Sequence, residues 1–222
     1  MPDTVVAVGD ARLPGDLVVP ADAGALVLFA HGSGSSHRSV RNRSVAAALN
    51  DLGLATLLFD LLEPAEADDR RLVFDIRLLA DRLLGATAWA RELDSLRDLS
   101  IGYFGASTGA GAALLAAADE PELPFALVSR GGRPDLVPVD SLHRVQAATL
   151  LVVGGRDDVV LELNRQVQRE LRCIRTLEVV PGATHLFEEP GALEQVTRLA
   201  GEWFTRHLHA SGFDAPPTSA SR

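Results

Sequence analysis

Six short apolar runs recur along the chain, and they constrain its fold more than any other feature. Ala25–Ala30 (ALVLFA), Ala55–Phe59 (ATLLF), Ile101–Phe104 (IGYF), Phe125–Val128 (FALV) and Thr149–Val153 (TLLVV) are apolar at nearly every position, and Leu177–Val180 (LEVV) is a weaker sixth. A half-solvated strand alternates polar and apolar residues. A run that is apolar on both faces reads as a strand of a parallel sheet covered by helices on both sides. Helical periodicity fills the gaps, over Val40–Leu52, Leu72–Leu93, Gly109–Ala118, Val160–Leu171 and Leu193–His207, with Asp68 and Asp69 near the start of the longest. Alternating strands and helices imply right-handed βαβ units, and so an α/β fold with a mostly parallel, doubly wound sheet. Val5–Val8 and Leu17–Val19, around Gly9-Asp10 and Pro14-Gly15, add an antiparallel strand pair at the N-terminal end. One domain is expected over residues 1–209, and residues 210–222 (ASGFDAPPTSASR) read as a polar tail.

In such a sheet, function gathers at the carboxyl ends of the strands. Reactive side chains and glycines stand there repeatedly: His31-Gly32-Ser33-Gly34-Ser35-Ser36 after the first long run, then Asp60, Gly105-Ala106-Ser107-Thr108-Gly109, Ser129-Arg130-Gly131-Gly132-Arg133, Gly154-Gly155-Arg156-Asp157 and Pro181-Gly182-Ala183-Thr184-His185. Leu99–Ala118 carries no charge over 20 residues, a membrane-spanning length, but its glycines and hydroxyls fit a strand, a sharp turn and a small-residue helix better.

Gly105–Gly109 matches G-x-S-x-G between a strand and a helix, the context of a nucleophile elbow. The bland alternative is a glycine-rich turn with an N-capping serine. A serine hydroxyl needs a base. His185 lies 78 residues downstream on a loop after the last strand; His31, among glycines, is its competitor, while His37, His143, His207 and His209 read as solvated. An imidazole base needs a carboxylate to fix its tautomer. Asp157 follows the penultimate strand, 50 residues after Ser107, and its neighbour Asp158 is the alternative, otherwise a cap for the next helix. The order Ser…Asp…His is that of an α/β-hydrolase triad. For the oxyanion, the amide of Thr108 and an amide near Gly32-Ser33-Gly34, with Ser33 favoured, are the expected donors. A phosphate-cradling loop is the rival reading of HGSGSS, but no G-K-[ST] follows it.

These segments resemble the α/β-hydrolase superfamily over about Leu17–Leu208, and within it the dienelactone hydrolase-like group, including small hydrolases found alone or fused to phosphoribosyltransferase domains. The resemblance also rests on Leu57–Leu62, Arg133-Pro134-Asp135 and Leu186-Phe187. It implies an α/β-hydrolase fold, with Ser107 as nucleophile, Asp157 as acid and His185 as base. Dienelactone hydrolases proper carry cysteine at the elbow, whereas this chain carries Ser107.

Only residues 131–147 leave room for an excursion over the site, so no lid domain is expected and the substrate reads as a small soluble ester, lactone or thioester. Arg130 or Arg133 would grip a substrate carboxylate or phosphate, unless it pairs with Asp135 or a helix terminus; Gly32 and Phe187 would line the pocket, with a plain core role the alternative for Phe187. Arg38, Arg41 and Arg43 read as a solvated helix face, Cys173 as filler, and Trp89 as core. The chain has 21 arginines, no lysine and 30 acidic residues, a net charge of −9, which argues against a nucleic-acid partner. With one cysteine there is neither an internal disulfide nor a four-cysteine zinc site, and no cofactor or metal is expected. The N-terminus has no signal-peptide pattern, so a cytoplasmic location is expected, with a small-molecule substrate, no membrane partner, and monomer or homodimer left open. Besides the serine hydrolase, two readings stay open: a binding or sensor protein on the same fold, and an acyltransferase to an acceptor other than water.

Overall fold

A computed structural model describes residues 3–210, with side chains to 208. Its elements in chain order are β1 (Asp3–Val8), β2 (Ala11–Val18), β3 (Ala25–Ala30), α1 (Val40–Asp51), β4 (Ala55–Phe59), α2 (Pro64–Ala67), α3 (Arg70–Val73), α4 (Ile76–Glu92), β5 (Ser100–Ala106), α5 (Thr108–Asp119), β6 (Pro124–Arg130), a 3-10 turn (Pro134–Leu136), α6 (Val139–Leu142), β7 (Ala148–Gly154), α7 (Asp158–Glu170), β8 (Arg175–Val180) and α8 (Ala192–Ala210). The sheet order is β1-β2-β4-β3-β5-β6-β7-β8. Strands β4 to β8 and β3 pair in parallel, while β1–β2 and β2–β4 are antiparallel. Every apolar run of the sequence is a strand, and the expected α/β-hydrolase architecture, with no lid, is the one seen. The expected tail, 210–222, lies outside the described residues apart from the helical backbone of Ala210.

The sheet separates two cores, and strand alternation decides which side chain joins which. Leu26, Leu28 and Ala30 of β3 face one core with α4 and α5, whereas Ala25, Val27 and Phe29 face the other with α1 and α8. The indole N–H of Trp203 donates to the Ala148 carbonyl at 3.0 Å and ties α8 to β7. Leu99–Ala118 becomes β5, a sharp turn and the buried helix α5; no helix among the described residues is long and apolar enough to cross a membrane.

Three expectations are corrected. Pro14 and Gly15 form no turn: they sit inside β2, opposite Val5 and Thr4 of β1, and the Pro14 carbonyl accepts from Asp60 N–H just past the end of β4, so the missing N–H falls where that ladder has ended. The long helical pattern is two helices, because the Asp75 carboxylate accepts from the Leu78 N–H and starts a new helix after Phe74; Asp69 caps only the short α3. The arginines of α1 are not a purely solvated face. Arg43 donates to Asp16 Oδ2 from Nε (3.1 Å) and Nη2 (2.6 Å), and Asp16 is 1% exposed. Removing the arginine strands a buried carboxylate. Arg43→Ala is therefore expected to cost about 2–3 kcal/mol, at the low end for a broken buried pair because Arg43 is itself partly exposed. In a chain of this length that lowers Tm by roughly 5–10 °C in a thermal melt; a change below about 1 °C would show that Asp16 is adequately hydrated without it.

Candidate active site

The β5–α5 turn is strained where the sequence motif requires it. Ser107 holds φ +51° and ψ −120°, a region costly for a residue with a Cβ. Its neighbours make the turn possible: a Cβ on Gly109 would collide with the carbonyls of Ala30 and His31, so only glycine lets α5 start this close to β3. Ser107 occupies the N-cap position of α5, yet its side chain makes no capping bond. The N-capping alternative is thus not what the hydroxyl does. Backbone bonds hold the residue instead: Ser107 N–H donates to the Arg130 carbonyl, and Arg133 N–H to the Ser107 carbonyl, both at 3.1 Å.

The histidine arrives from the other end of the chain and meets this turn through the same β6 loop. The His185 ring lies against Gly131, where a Cβ would stand 3.4 Å from Nδ1. Gly131 belongs to the short segment, Arg130 to Arg133, that clasps Ser107. His185 Nδ1 is 2.6 Å from Asp157 Oδ2. An ionised carboxylate only accepts, so Nδ1 carries the proton and Nε2 is left as the free acceptor. Asp157 is available because it stands at the N-cap of α7 without capping it. The sequence expectation that Asp158 caps this helix is corrected: Asp158 is already its first helical residue. The two loops are zipped together by Arg156 N–H to the Ala183 carbonyl at 2.9 Å and Gly155 N–H to the Val180 carbonyl at 2.8 Å. Glu189, which sequence reading missed, braces the histidine loop. Its two carboxylate oxygens each accept from Thr184 N–H at 3.1 Å, and that bonding holds its carboxyl below the usual range. An acid four residues after a loop histidine is too common a pattern to have marked it.

On the other side of Ser107, the β3 loop packs against the elbow; a Cβ on Gly32 would stand 3.0 Å from the Ser107 Cβ. Thr108 opens α5, so its N–H has no intrahelical acceptor. Its hydroxyl oxygen accepts from Ser33 N–H at 2.9 Å. The two amides singled out from the sequence are therefore neighbours, joined through the Thr108 side chain. His31 serves a different purpose from His185. It lies within hydrogen-bond distance of the Gly32 carbonyl through Nδ1 (2.9 Å), and its Nε2 accepts from Leu61 N–H (3.1 Å). A carbonyl can only accept and an amide only donate, so the ring is the neutral Nδ1–H form, stapling the β3 loop to the β4 loop. Burial lowers its pKa in agreement, opposed in part by the bond to Gly32 and the nearby Asp60.

Between these two loops and α4 is a cavity of about 220 Å³, with Leu61, Leu62, Val73 and Leu79 in its wall and Gly32, Ser33 and Thr108 at its edge near Ser107. Phe187 does not line it: the side chain is 2% exposed and packs in the core beneath α8. Arg133 is held in a two-pronged bond to Asp135 at 2.8 and 2.7 Å, the alternative the sequence left open. Arg130 is 8% exposed and makes no ion pair among the described residues. It follows Ala126 and Val128 in strand phase, which puts it on the α1–α8 side, away from the cavity. Burial pushes its guanidinium down to about 10, and the like charge of Arg41 adds to this. His37, expected in solvent, is buried, with its amide donating to Asp60 Oδ1 at 2.6 Å and its Nδ1 2.9 Å from the same oxygen. His143 likewise pairs with Glu170, and the Cys173 thiol sits in an ordinary partly buried position beside Thr149. Among the described residues no three His, Cys, Asp or Glu side chains gather in a way that could hold a metal ion.

A Mycobacterium tuberculosis protein provisionally named a phosphoribosyl transferase is 57% identical to this chain over 207 residues, which are 93% of the chain and 46% of that protein. The chain thus spans about half the length of that curated relative. A second protein of the same organism, uncharacterized by name, is 30% identical over 212 residues, covering 82% of this chain and 72% of its own. Among solved structures, a dienelactone hydrolase from Anabaena variabilis superposes with a TM-score of 0.90 at 52% identity, covering 92% of this chain and 96% of that one. Est1E from Butyrivibrio proteoclasticus superposes with a TM-score of 0.80 at 18% identity, covering 93% and 99%, which speaks to the fold alone. No protein-family profile matches the chain.

Proposed function

The chain belongs to the α/β-hydrolase superfamily, in its dienelactone hydrolase-like group, and from that footing we propose that it is a serine hydrolase working through an acyl-enzyme on Ser107. Membership and the 52% identical dienelactone hydrolase support hydrolysis as the class of reaction. The single observation that carries the finer reading is the 2.6 Å bond from His185 Nδ1 to Asp157, which leaves Nε2 as an acceptor on a ring packed against Gly131, in the segment whose backbone holds Ser107.

In this reading His185 Nε2 takes the Ser107 proton as Oγ attacks the acyl carbon. The carbonyl oxygen becomes an oxyanion, received by the N–H of Thr108 and by that of Ser33 once it turns from the Thr108 hydroxyl. The imidazolium, stabilised by Asp157, gives the proton to the leaving alcohol or thiol as the C–O or C–S bond breaks. Water then gives a proton to Nε2 and its oxygen to the acyl carbon, and the acid leaves as Ser107 recovers its proton. The substrate class is a small ester, lactone or thioester. Phosphoribosyl transfer is not part of the proposal, since this chain corresponds to 46% of the relative that carries that name.

The test is turnover of 4-nitrophenyl acetate by folded, purified protein. Saturable hydrolysis supports the reading; its absence, with the fold intact by circular dichroism, favours a binding protein on the same scaffold. The Thr108 side chain gives a finer expectation. Thr108→Val keeps the shape and the amide but removes the acceptor that holds Ser33. That bond, worth about 1 kcal/mol, competes with the oxyanion for the Ser33 N–H, so its removal is expected to raise kcat by up to roughly fivefold with KM little changed, whereas a fall of that size would show that the bond serves to position the loop. Thr108→Ser, which keeps the oxygen, is expected to behave as wild type.

A further inference from the structure

We propose that the cavity between the β3 and β4 loops is the acyl-chain site, and that it takes short uncharged acyl chains while rejecting those that end in a carboxylate. The proposal rests on the serine-hydrolase reading and adds the substrate class to it.

Sheet order supplies the direction. The strands run β4-β3-β5-β6-β7 across the middle of the sheet, with Ser107 at the end of β5. His185 sits over the ends of β6 and β7, against Gly131 and Asp157. The cavity opens over the ends of β3 and β4, on the opposite side of Ser107. The leaving group must face His185 to receive its proton, and the carbonyl oxygen must face Ser33 and Thr108. The remaining substituent of the carbon, the acyl chain, then points away from His185 into the cavity.

Its size and chemistry choose the chain. About 220 Å³ is below the roughly 300–1,000 Å³ of sites that hold drug-sized ligands, which suits a chain of up to about six carbons. The wall is largely apolar, from Leu61, Leu62, Val73 and Leu79, with Ser33, Ser35 and Ser36 also in the lining. Among the described residues Asp60 is the only charged group lining it. His31, the other titratable group there, is fixed neutral by its two backbone bonds. No arginine among the described residues lines the cavity: Arg130 is on the other face of the sheet and Arg133 is taken by Asp135. His37 pairs with Asp60 but is not part of the lining, and Arg38 and Arg41 line the adjoining cleft beyond Gly34–Ser36 rather than this cavity. A carboxylate placed here would lose its water and meet Asp60 without compensation, a cost that a methyl end does not carry.

The test measures kcat/KM for 4-nitrophenyl acetate, butyrate, hexanoate and laurate, and for the 4-nitrophenyl monoester of glutarate, whose chain ends in a carboxylate. Wild type is expected to prefer butyrate or hexanoate to laurate, and to turn over the glutarate monoester at least 50-fold more slowly than butyrate. Val73→Trp, on a short surface helix, is expected to lower the butyrate-to-acetate ratio about tenfold. Asp60→Asn, which keeps an oxygen for the His37 amide, is expected to narrow the gap between butyrate and the glutarate monoester about tenfold. Acetate hydrolysis that persists with a glutarate preference, or with a ratio indifferent to Val73→Trp, overturns this proposal and leaves the serine hydrolase standing. Turnover of no ester at all overturns both.

Discussion

Replacing Ser107 by alanine is expected to lower kcat for 4-nitrophenyl acetate by about 10⁴- to 10⁶-fold, the scale seen when a triad nucleophile is removed. The size follows from the mechanism: without the hydroxyl there is no acyl-enzyme, and only the amides of Thr108 and Ser33 remain to stabilise attack by water. Stability should hardly change, because the Ser107 side chain makes no capping bond. The φ of +51° would then be carried by alanine at a similar strain. A thermal melt and steady-state kinetics on the same preparation separate the two effects. Activity within tenfold of wild type would place the nucleophile elsewhere.

Asp157→Asn is expected to lower kcat by about 10⁴-fold with KM within a few-fold of wild type. The carboxylate fixes the proton on Nδ1 of His185 through a 2.6 Å contact. An asparagine can turn its NH2 toward that nitrogen and push the proton onto Nε2, where the base must be free. It also removes the charge that stabilises the imidazolium. The neighbouring Asp158→Asn should be nearly silent, since that residue starts α7 and touches nothing in the histidine loop that a hydrogen bond records. If the two substitutions gave the reverse pattern, Asp158 would be the orienting acid and the loop geometry would have to rearrange in solution.

Much of this was legible in the sequence because burial on two faces leaves an unmistakable mark. ALVLFA, ATLLF and the other runs have no polar alternation to mislead, and all are strands. The residues that end them were legible for the same reason: Ser107, Asp157 and His185 each follow a run, so the fold brings their loops to one edge. What failed was local and depended on partners distant in sequence. Arg43 looks like one of three solvated arginines until Asp16, 27 residues away, is seen beneath it. Phe187 follows the histidine, yet its left-handed backbone, φ +54°, turns it inward beneath α8. His31 and His185 both stand in loops after a strand; only the Gly32 carbonyl and the Leu61 amide, which fill both ring nitrogens of His31, distinguish a staple from a base. The break at Phe74 was hidden because apolar spacing continues across it, and the Asp75 cap is one of several aspartates in that stretch. The bond from Ser33 to Thr108 joins residues 75 apart and has no signature in either segment.

Everything proposed about the chemistry requires that the Ser107 hydroxyl be made nucleophilic by His185. Incubation with a fluorophosphonate probe, followed by peptide mass spectrometry, reads that property directly. The expected result is a single covalent adduct on the peptide containing Ser107, at full occupancy in wild type and nearly absent in folded His185→Ala. A wild-type protein that stays unlabelled while folded, or one labelled equally well without His185, would contradict it.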